Sequence, residues 1–512
     1  MSSVFQRIGV VGAGAMGRGI VQLFAQAGTP VVVFDTQPAT VQAALASLSD
    51  TLGKLVDKGK LAADASAATL ARISAAETLE GLAGCDLVIE AVIERLDIKQ
   101  ALFRSLEALL APEAVIVTNT SSLSVTAIAA ACQRPERIGG YHFFNPVPLM
   151  RIVEVIGGPR TAPEVLERLS ALARAAGHLP VVCQDTPGFI VNHAGRAFGP
   201  ESLKALGEGV TSHADIDRIL REQVQVDGQG FKLGPFELLD LTGLDVSHPV
   251  MESIYHQYYE EPRYKPSVIG AQRVAAGLLG RKTGQGFYRY QNGAVVADPA
   301  LAEPPPPPVP SGIRAWVAPG PSQGAVRALL EGLGASLDTG AQPSPGSLIV
   351  LTPVGIDATE AARGLDAKRA VALDTLMPFG LRACKRRVLM TTPATEPAWR
   401  DQAHGLLAAD GAKVSVLRDS PGFIAQRVLA MIVSVGCEIA QQRVASPADI
   451  DAAVRIGLGY PAGPLSIGDR IGPARVLEIL EGMHRVTGEP RYRPSAWLRR
   501  RAHLGLSLLT DD

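Results

Sequence analysis

A strand-like run that leads directly into closely spaced glycines, IGVVGAGAMGRG at residues 8–19, constrains the fold more than any other segment. Gly12, Gly14 and Gly17 have the GxGxxG spacing of dinucleotide-binding folds. There the first glycine permits a tight turn, the second admits a pyrophosphate and the third allows close helix packing. Because the chain has 52 glycines, the spacing alone has little specificity. The β-branched strand before it and the helix-length segment after it make the interpretation specific.

An acidic residue after the second strand indicates which dinucleotide is bound. The run VVVF at 31–34 ends in Asp35, 18 residues after Gly17. A carboxylate there accepts hydrogen bonds from ribose hydroxyls and repels a 2′-phosphate, so NAD is the predicted cofactor. The amides of Ala15 and Met16, where the next helix begins, are expected to bind the phosphates. The alternative is a glycine-rich turn that binds nothing.

The pattern along the chain predicts several domains. Up to about residue 182, short β-rich runs alternate with helix-length segments, which predicts a mostly parallel sheet, and residues 187–280 have a helical composition. The run PPPPPVP at 304–310 predicts an extended linker, either a spacer or a ligand for an SH3-like or WW-like partner. We predict a Rossmann-type α/β domain at 1–184, an all-α domain at 185–295, a linker at 296–312, a smaller degenerate α/β unit at 313–418 and a second all-α domain at 419–512.

An internal repeat supports the two helical domains. The segment DTPGFI at 185–190 returns as DSPGFI at 419–424, and ADID at 214–217 returns at 448–451, both shifted by 234 positions. The shift then falls to 229 for the Gly-Pro pair at 234–235 and to 228 for YKPS at 264–267, which returns as YRPS. Ordered matches with similar shifts indicate that the helical domain is duplicated.

Composition excludes several functional classes. Lysine plus arginine total 49 against 50 for aspartate plus glutamate, so no uniform charge would attract a nucleic acid or an anionic membrane. The five cysteines form no CxxC spacing, so neither a disulfide framework nor a metal site is expected. The first ten residues predict no export signal, and the longest apolar stretch is shorter than the roughly 20 residues of a membrane helix. We therefore expect a soluble cytoplasmic protein.

Two segments could carry acid–base chemistry, TNTSSLS at 118–124 and YHFFNPVPLMRIVEVI at 141–156. His142 and Glu154 lie in two strand-like runs joined by a proline-bearing turn, which could bring imidazole and carboxylate together. Such a contact would fix the tautomer of the ring and stabilise its protonated form, as a base that deprotonates an alcohol requires. The alternative is a structural histidine. Ser121 could cap a helix or contact a ligand, and Asn192 could be a plain helix residue or face a cleft.

These segments, with DTPGFIVN and RKTGQGFY, together resemble the L-3-hydroxyacyl-CoA dehydrogenase family. The resemblance covers residues 7–290 and returns at 419–512 as a second copy of the family's helical domain. Over the whole chain it is greatest to the long bacterial form that is associated with phenylacetate breakdown and acts on 3-hydroxyadipyl-CoA. The resemblance implies NAD-dependent oxidation of an L-3-hydroxyacyl-CoA, such as 3-hydroxyadipyl-CoA or 3-hydroxybutyryl-CoA, to the 3-oxoacyl-CoA, the chemistry of fatty acid β-oxidation.

The resemblance also implies roles for individual residues. His142 would be the base, Glu154 would orient it, and Ser121 and Asn192 would contact the substrate. The positions matching NAD contacts, besides the glycine loop and Asp35, are Glu94, Lys99, Ser121, Asn145 and Lys282. The positions matching coenzyme A contacts are Thr51, Lys58 and Ser121.

Several departures from the family pattern qualify these expectations. His193 stands where the family usually has arginine, Lys232 replaces a proline found in the second copy, and Gln426 takes the place of Asn192. The unit at 313–418 lacks both GxGxxG and an HFFNP-like segment, so one active site is expected. Because the family's helical domains commonly pair between subunits, we expect either a monomer with an internal pseudo-dimer or a homodimer.

Other functions remain as alternatives. One is an NAD-dependent dehydrogenase for a free small hydroxy acid, and dependence on coenzyme A would distinguish the two. Another is a redox-silent nucleotide-binding protein, like the lens crystallins related to this family, which would bind NAD without turnover. A fused hydratase–dehydrogenase is disfavoured because the chain starts at the dinucleotide-binding strand.

Overall fold

The computed structural model describes residues 4–512, which form two compact units. The first runs up to His193 and includes Gln442–Leu458, and the second comprises Ala194–Gln441 and Gly459–Thr510. The five segments predicted from the sequence stay a prediction, and this grouping divides the chain differently: residues 185–193, predicted to begin the first helical domain, belong to the first unit. Residues 442–458, which the repeat assigns to the second helical domain, join the first unit.

An eight-stranded sheet forms the centre of the first unit. Its order is β3-β2-β1-β4-β5-β6-β7-β8, and every neighbouring pair is parallel except β6 and β7. This sheet confirms the predicted Rossmann-type architecture, whose first six strands have the expected order. The strands are β1 (Ile8–Val11), β2 (Val31–Phe34), β3 (Ile73–Ala75), β4 (Leu87–Glu90), β5 (Val115–Thr118), β6 (Ile138–Phe143), β7 (Ile152–Gly157) and β8 (Leu179–Gln184).

Helices connect these strands and explain their composition. Strands β1, β4 and β5 are buried along their whole length, which is why they read as continuous apolar runs rather than alternating ones. The helices are α1 (Ala15–Gln26), α2 (Pro38–Asp57), α3 (Ala63–Ala71), α4 (Leu96–Leu109), α5 (Val125–Ala129), α6 (Pro163–Ala175) and α7 (Val191–Ala194).

The second unit begins with the first helical copy. Its helices are α8 (Phe198–Gly207), α9 (His213–Glu222), α10 (Pro235–Thr242), α11 (Leu244–Gln257) and α12 (Val268–Ala275), followed by a hairpin of β9 (Tyr290–Gln291) and β10 (Ala294–Val295). A six-stranded sheet follows, of β11 (Arg314–Val317), β12 (Ser336–Asp338), β13 (Leu348–Leu351), β14 (Ala370–Leu373), β15 (Arg386–Thr391) and β16 (Lys413–Leu417), with α13 (Gln323–Gly332), α14 (Ala358–Ala361) and α15 (Pro397–Leu407). Its order is β12-β11-β13-β14-β15-β16, and only β14 and β15 are antiparallel.

The second helical copy repeats the first helix by helix. It consists of α16 (Ala425–Gln441), α17 (Pro447–Gly457), α18 (Pro464–Ile471), α19 (Pro473–Thr487) and α20 (Ala496–Leu504), of which α17 belongs to the first unit. The starts of α17 to α20 follow those of α9 to α12 at the shifts found in the sequence, which confirms the duplication. Within residues 4–512, every helix is too short or too polar to span a bilayer.

Each sheet has its last strand covered by the helical copy from the other half of the sequence. In the first unit, Gln184 after β8 donates its amide to the carbonyl of Val444 at 2.8 Å, and α17 packs against β8. In the second unit, Arg418 after β16 donates its backbone amide to the carbonyl of Val210 at 3.0 Å. The two donors, Gln184 and Arg418, are 234 positions apart in the sequence, and so are the two acceptors, Val210 and Val444. Covering an edge strand protects its unpaired backbone groups, and this exchange explains why 442–458 groups with the first sheet.

The proline-rich linker is packed against the second unit. A Cβ on Gly405 of α15 would lie 2.4 Å from the carbonyl oxygen of Pro308, so the linker and helix touch closely. Just before the proline run, the carboxylate of Glu303 pairs with the fully buried Arg386 at 2.7 Å and with Lys413 at 3.1 Å. The proline run at 304–310 has no helix or strand, and a short 3₁₀ helix, Pro299–Leu301, precedes it within the predicted linker. An SH3-like partner would have to displace these contacts.

A buried ion-pair network joins the two helical copies inside the second unit. The guanidinium of Arg427 on α16 contacts Glu201 at 2.7 Å and Glu208 at 2.8 Å, and Tyr492 donates its hydroxyl to Glu201 at 2.9 Å. Burial alone would lower the pKa of Arg427, but Glu201, Tyr492 and Glu208 raise it above its usual value. The charges are thus compensated inside the protein.

We expect Arg427→Met to lower the free energy of unfolding by about 3–5 kcal/mol, because it removes the nearest cation from the buried Glu201 and leaves only Arg491, at 3.4 Å, beside that carboxylate. Arg470→Met is the matched control, since Arg470 also pairs a second-copy arginine with a first-copy carboxylate, Asp227, but at the surface. Its cost should be about 0–1 kcal/mol. Urea denaturation of both variants checks this, and equal costs would contradict the role given to burial.

Candidate active site

Two facing residues of the first sheet form a histidine–carboxylate pair. His142 on β6 and Glu154 on β7 are direct cross-strand partners in the antiparallel register, so their side chains point to the same face. Nδ1 of His142 lies 2.6 Å from Oε2 of Glu154. The histidine is 5% exposed and the glutamate is fully buried. With Nδ1 held by the carboxylate, Nε2 is left for a substrate.

The other oxygen of Glu154 is fixed by the turn that precedes α7. Oε1 accepts hydrogen bonds from the amides of Ile190 and Val191, each at 2.9 Å. The turn DTPGFI presents these amides because Gly188 and Phe189 adopt positive φ values of 78° and 50°. Sequence reasoning used this segment to reach Asn192 and missed that its backbone holds the carboxylate.

A second buried network shapes the loop after β5. The carboxylate of Glu94 accepts hydrogen bonds from the amide of Ser121 at 3.0 Å and the hydroxyl of Ser122 at 3.0 Å. Lys99 pairs with Glu94 at 3.2 Å and with Glu90 at 2.5 Å. Burial raises the pKa of Glu94, but Lys99 and the loop hydroxyls outweigh it and lower that pKa overall.

Glu94 and Lys99, both predicted to contact NAD, differ in how accessible these contacts leave them. Lys99 is 1% exposed and lies between the two glutamates, so a direct contact with NAD stays a prediction for it. Glu94 is on the exposed side of the network. Sequence reasoning missed Glu90, which also accepts from the hydroxyl of Thr118 at 2.7 Å. An acid at the end of an apolar strand was the available signal.

The loop brings Ser121 to Asn192. The side-chain amide of Asn192 donates to the carbonyl of Ser121 at 3.3 Å, so the two predicted substrate contacts are neighbours. Within residues 4–512, the hydroxyl of Ser121 has no hydrogen-bond partner. Ser124 caps α5 and shares Asp185 with the first amides of that helix, so capping falls to Ser124 rather than Ser121.

The glycine loop has the geometry expected of a dinucleotide site. Gly12 has a φ of 102°, and a Cβ there would lie 2.5 Å from the carbonyl oxygen of Ala91. A Cβ on Gly17 would collide with Gly12, whereas one on Gly14 would meet nothing within 4 Å. Gly12 and Gly17 are therefore needed by the backbone, and Gly14 faces open space where a pyrophosphate can approach the amides of Ala15 and Met16.

Asp35 is fixed against this loop. Its carboxylate accepts from the amide of Ala13 at 2.9 Å and from that of Gln37 at 3.0 Å. The acid is half-buried at the end of β2, where a ribose hydroxyl can reach its remaining lone pairs. These residues fit NAD as the bound cofactor.

The other predicted contacts are more dispersed. Thr51 and Lys58 are exposed on and just after α2, and Asn145 is exposed after β6. Lys282 lies in the second unit, where its ammonium pairs with Asp245 at 2.5 Å. Their roles stay predictions.

Comparison with known proteins decides the family. The model of the 3-hydroxyacyl-CoA dehydrogenase NAD-binding domain matches residues 7–186, and that of the C-terminal domain matches 188–290 and again 422–507. A 3-hydroxyadipyl-CoA dehydrogenase of Escherichia coli K12 is 36% identical over 502 residues, 98% of each chain. The chain belongs to the 3-hydroxyacyl-CoA dehydrogenase family. It is an oxidoreductase with an NAD-binding domain, as predicted.

Other members of this family match either the whole chain or its first part. The crystal structure of a 3-hydroxybutyryl-CoA dehydrogenase from Escherichia coli K12 superimposes with a TM-score of 0.82 and 33% identity, covering 98% of both chains. A probable 3-hydroxybutyryl-CoA dehydrogenase of Deinococcus radiodurans is 41% identical over 284 residues, 56% of this chain and all of that protein.

The second sheet keeps the strand pairing of the first sheet without the carboxylate of Glu154. Val388 on β15 pairs with Ser415 on β16, as Glu154 on β7 pairs with Val181 on β8. The shift of 234 equates Ser415 with Val181. Val388 therefore takes the place of Glu154.

Asp374 takes the place of His142, because its amide donates to the carbonyl of Val388 at 3.0 Å. Its buried carboxyl accepts from Gln426 and Gln223, each at 2.9 Å, and burial raises its pKa. Gln426 is the counterpart of Asn192, so the second half uses these positions for a closed hydrogen-bond network. The dyad is not repeated there.

We expect Glu154→Gln to lower kcat about 10²–10⁴-fold, because the amide cannot stabilise a protonated His142. Its remaining oxygen can still accept from Ile190 and Val191, so NADH affinity should change little. The double variant with His142→Gln should be no slower than the slower single variant, since the pair acts as a unit. Single-turnover kinetics measure this, and additive losses would contradict a coupled dyad.

Proposed function

We propose that this protein oxidises L-3-hydroxyacyl-CoA thioesters with NAD, using His142 as the general base. The observation that carries the proposal is the buried pair of His142 and Glu154, with Ser121 and Asn192 adjoining each other at the neighbouring loop. The NAD-binding family model and the glycine loop supply its cofactor half.

Each residue of the site has a distinct task in this mechanism. Nε2 of His142 removes the proton of the 3-hydroxyl, and Glu154 stabilises the imidazolium that forms. The hydroxyl of Ser121 and the amide of Asn192 bind the substrate oxygens and hold C3 in position. NAD, when bound, supplies the hydride acceptor. In the reverse direction, His142 returns the proton to the 3-oxo group.

We further propose 3-hydroxyadipyl-CoA as the preferred substrate and 3-hydroxybutyryl-CoA as a slower one. The two full-length matches support these compounds, since one is named for the six-carbon dicarboxylyl thioester and the other for the four-carbon thioester.

NADH-linked reduction of 3-oxoadipyl-CoA, acetoacetyl-CoA, a medium-chain 3-oxoacyl-CoA and free acetoacetate tests this proposal. We expect turnover of the thioesters, with the highest kcat/KM for 3-oxoadipyl-CoA, and little turnover of free acetoacetate. His142→Gln should lower kcat about 10²–10⁴-fold. Preference for the free acid would favour a hydroxy-acid dehydrogenase, and NADH binding without any turnover would favour a redox-silent protein.

We also propose that the chain is a monomer in which the second helical copy replaces a partner subunit. Two observations support this: the buried network of Arg427 and Glu201, and the reciprocal covering of β8 and β16. Both are contacts between sequence copies made within one chain.

Light scattering should therefore give the mass of one chain, 53.7 kDa. The mass should hold over roughly a hundredfold range of concentration, because a tethered pseudo-dimer does not dissociate by dilution. A mass that doubles with concentration would show instead that the chain forms homodimers.

A further inference from the structure

Arg18, in the first turn of α1, has a positive charge that forms no ion pair within residues 4–512. It follows Gly17 directly, and its side chain is half-buried rather than extended into water. A cation in this turn is disfavoured by the helix dipole, typically by about 0.3–1 kcal/mol at the surface. Helix stability therefore does not explain an arginine at this position.

The side chain is directed away from the glycine loop and towards α2. Its Nη1 donates to the hydroxyl of Ser47 at 2.8 Å. A hydroxyl orients a guanidinium without neutralising it. Among residues 4–512, no carboxylate oxygen lies within 4.0 Å of the Arg18 guanidinium. Its remaining N–H groups can therefore bind an anion.

Ser47 belongs to a polar stripe along α2. Thr51 follows one turn later, and its hydroxyl donates to the carbonyl of Ser47 at 2.7 Å. Lys54 and Lys58 continue the stripe at helical spacing, and both are exposed. Neither lysine forms an ion pair among the described residues, although Asp50 and Asp57 flank the stripe. Three cationic groups thus lie along one face of the helix.

The spacing of these groups matches a ligand with separated phosphates. Thr51 is about 6 Å along the axis from Ser47, and Lys58 is about 10 Å further on. The nucleotide of coenzyme A has a diphosphate on one side of its ribose and a 3′-phosphate on the other. An arginine and a lysine at the two ends of the stripe can each contact a different phosphate.

We propose that Arg18 is a further recognition residue for coenzyme A, whose guanidinium, held by Ser47, binds a phosphate of the nucleotide on the face of α2. This inference rests on the proposed function, since it assigns the thioester's nucleotide to the stripe that contains Thr51 and Lys58. Arg18 acts in binding and takes no part in proton transfer.

Binding of free coenzyme A to the full-length protein tests this without requiring turnover. By calorimetry, we expect Arg18→Met to raise the Kd for coenzyme A about five- to tenfold, the loss of one charge-assisted hydrogen bond, and to leave the Kd for NADH within about twofold. Arg72→Met is the matched control, since Arg72 donates a single hydrogen bond to Ala25 at the other end of α1. Its Kd for coenzyme A should not change.

Kinetics provide the second readout. With acetoacetyl-CoA, Arg18→Met should raise KM by a similar factor and leave kcat nearly unchanged. With acetoacetyl-N-acetylcysteamine, which has no nucleotide, the variant and the wild type should be equal. The KM of Arg18→Lys for acetoacetyl-CoA should fall between those of Arg18→Met and the wild type, because the ammonium keeps the charge but loses the planar set of N–H donors.

Three results would overturn the inference: an unchanged Kd for coenzyme A, a Kd for NADH that rises at least as much, or an equal loss on the truncated thioester. The second would assign Arg18 to the dinucleotide bound at the same helix. If no thioester is turned over but Arg18 still controls coenzyme A binding, the proposed reaction fails while this inference stands. Thermal unfolding of Arg18→Met should match the wild type, since the residue does not stabilise α1.

Discussion

The buried carboxylate of Glu154 is the group on which the first unit's site depends. A fully buried carboxylate is stable only if donors replace its lost water, and three do so: Nδ1 of His142 and the amides of Ile190 and Val191. These donors come from a neighbouring strand and from the turn before α7. The same contacts that satisfy the carboxylate therefore fix the imidazole of His142, the turn and the start of the helix that carries Asn192.

The second sheet shows what happens when this requirement is removed. With valine at 388 in place of the glutamate, no carboxylate is present to orient a histidine, and the facing position is Asp374. Gln426 and Gln223 then satisfy that carboxyl. Strand order and the left-handed turn persist, with Phe423 at a φ of 46° where Phe189 has 50°. The strand order and the turn are thus kept although the polar side chains differ, because packing constrains the backbone and not the identity of those side chains.

The sequence predicted those parts of the site that depend on local pattern. Gly12 and Gly17 could be assigned because a strand, a tight turn and a helix leave few alternatives, and His142 and Glu154 because a short turn between strands brings residues opposite each other. Glu90 and the amides that hold Glu154 were missed because their partners lie 9 to 37 positions away. The covering of β8 by residues near Val444 was also missed, since nothing local distinguishes a helix that packs on its own sheet from one that packs on the other.

The reciprocal covering of the two sheets gives the duplication a physical consequence. Separate subunits that covered each other's edge strands would lose translational and rotational freedom on pairing, and the edges would be exposed again on dilution. Joining the copies in one chain replaces that cost with the smaller cost of closing a loop, which grows slowly with length. The linker reduces this cost further, because Glu303 and Arg386 hold it against the second sheet. The second half, which has Val388 and Asp374 at the positions of Glu154 and His142, therefore still covers the last strand of the first sheet, through a segment that is tethered in the same chain.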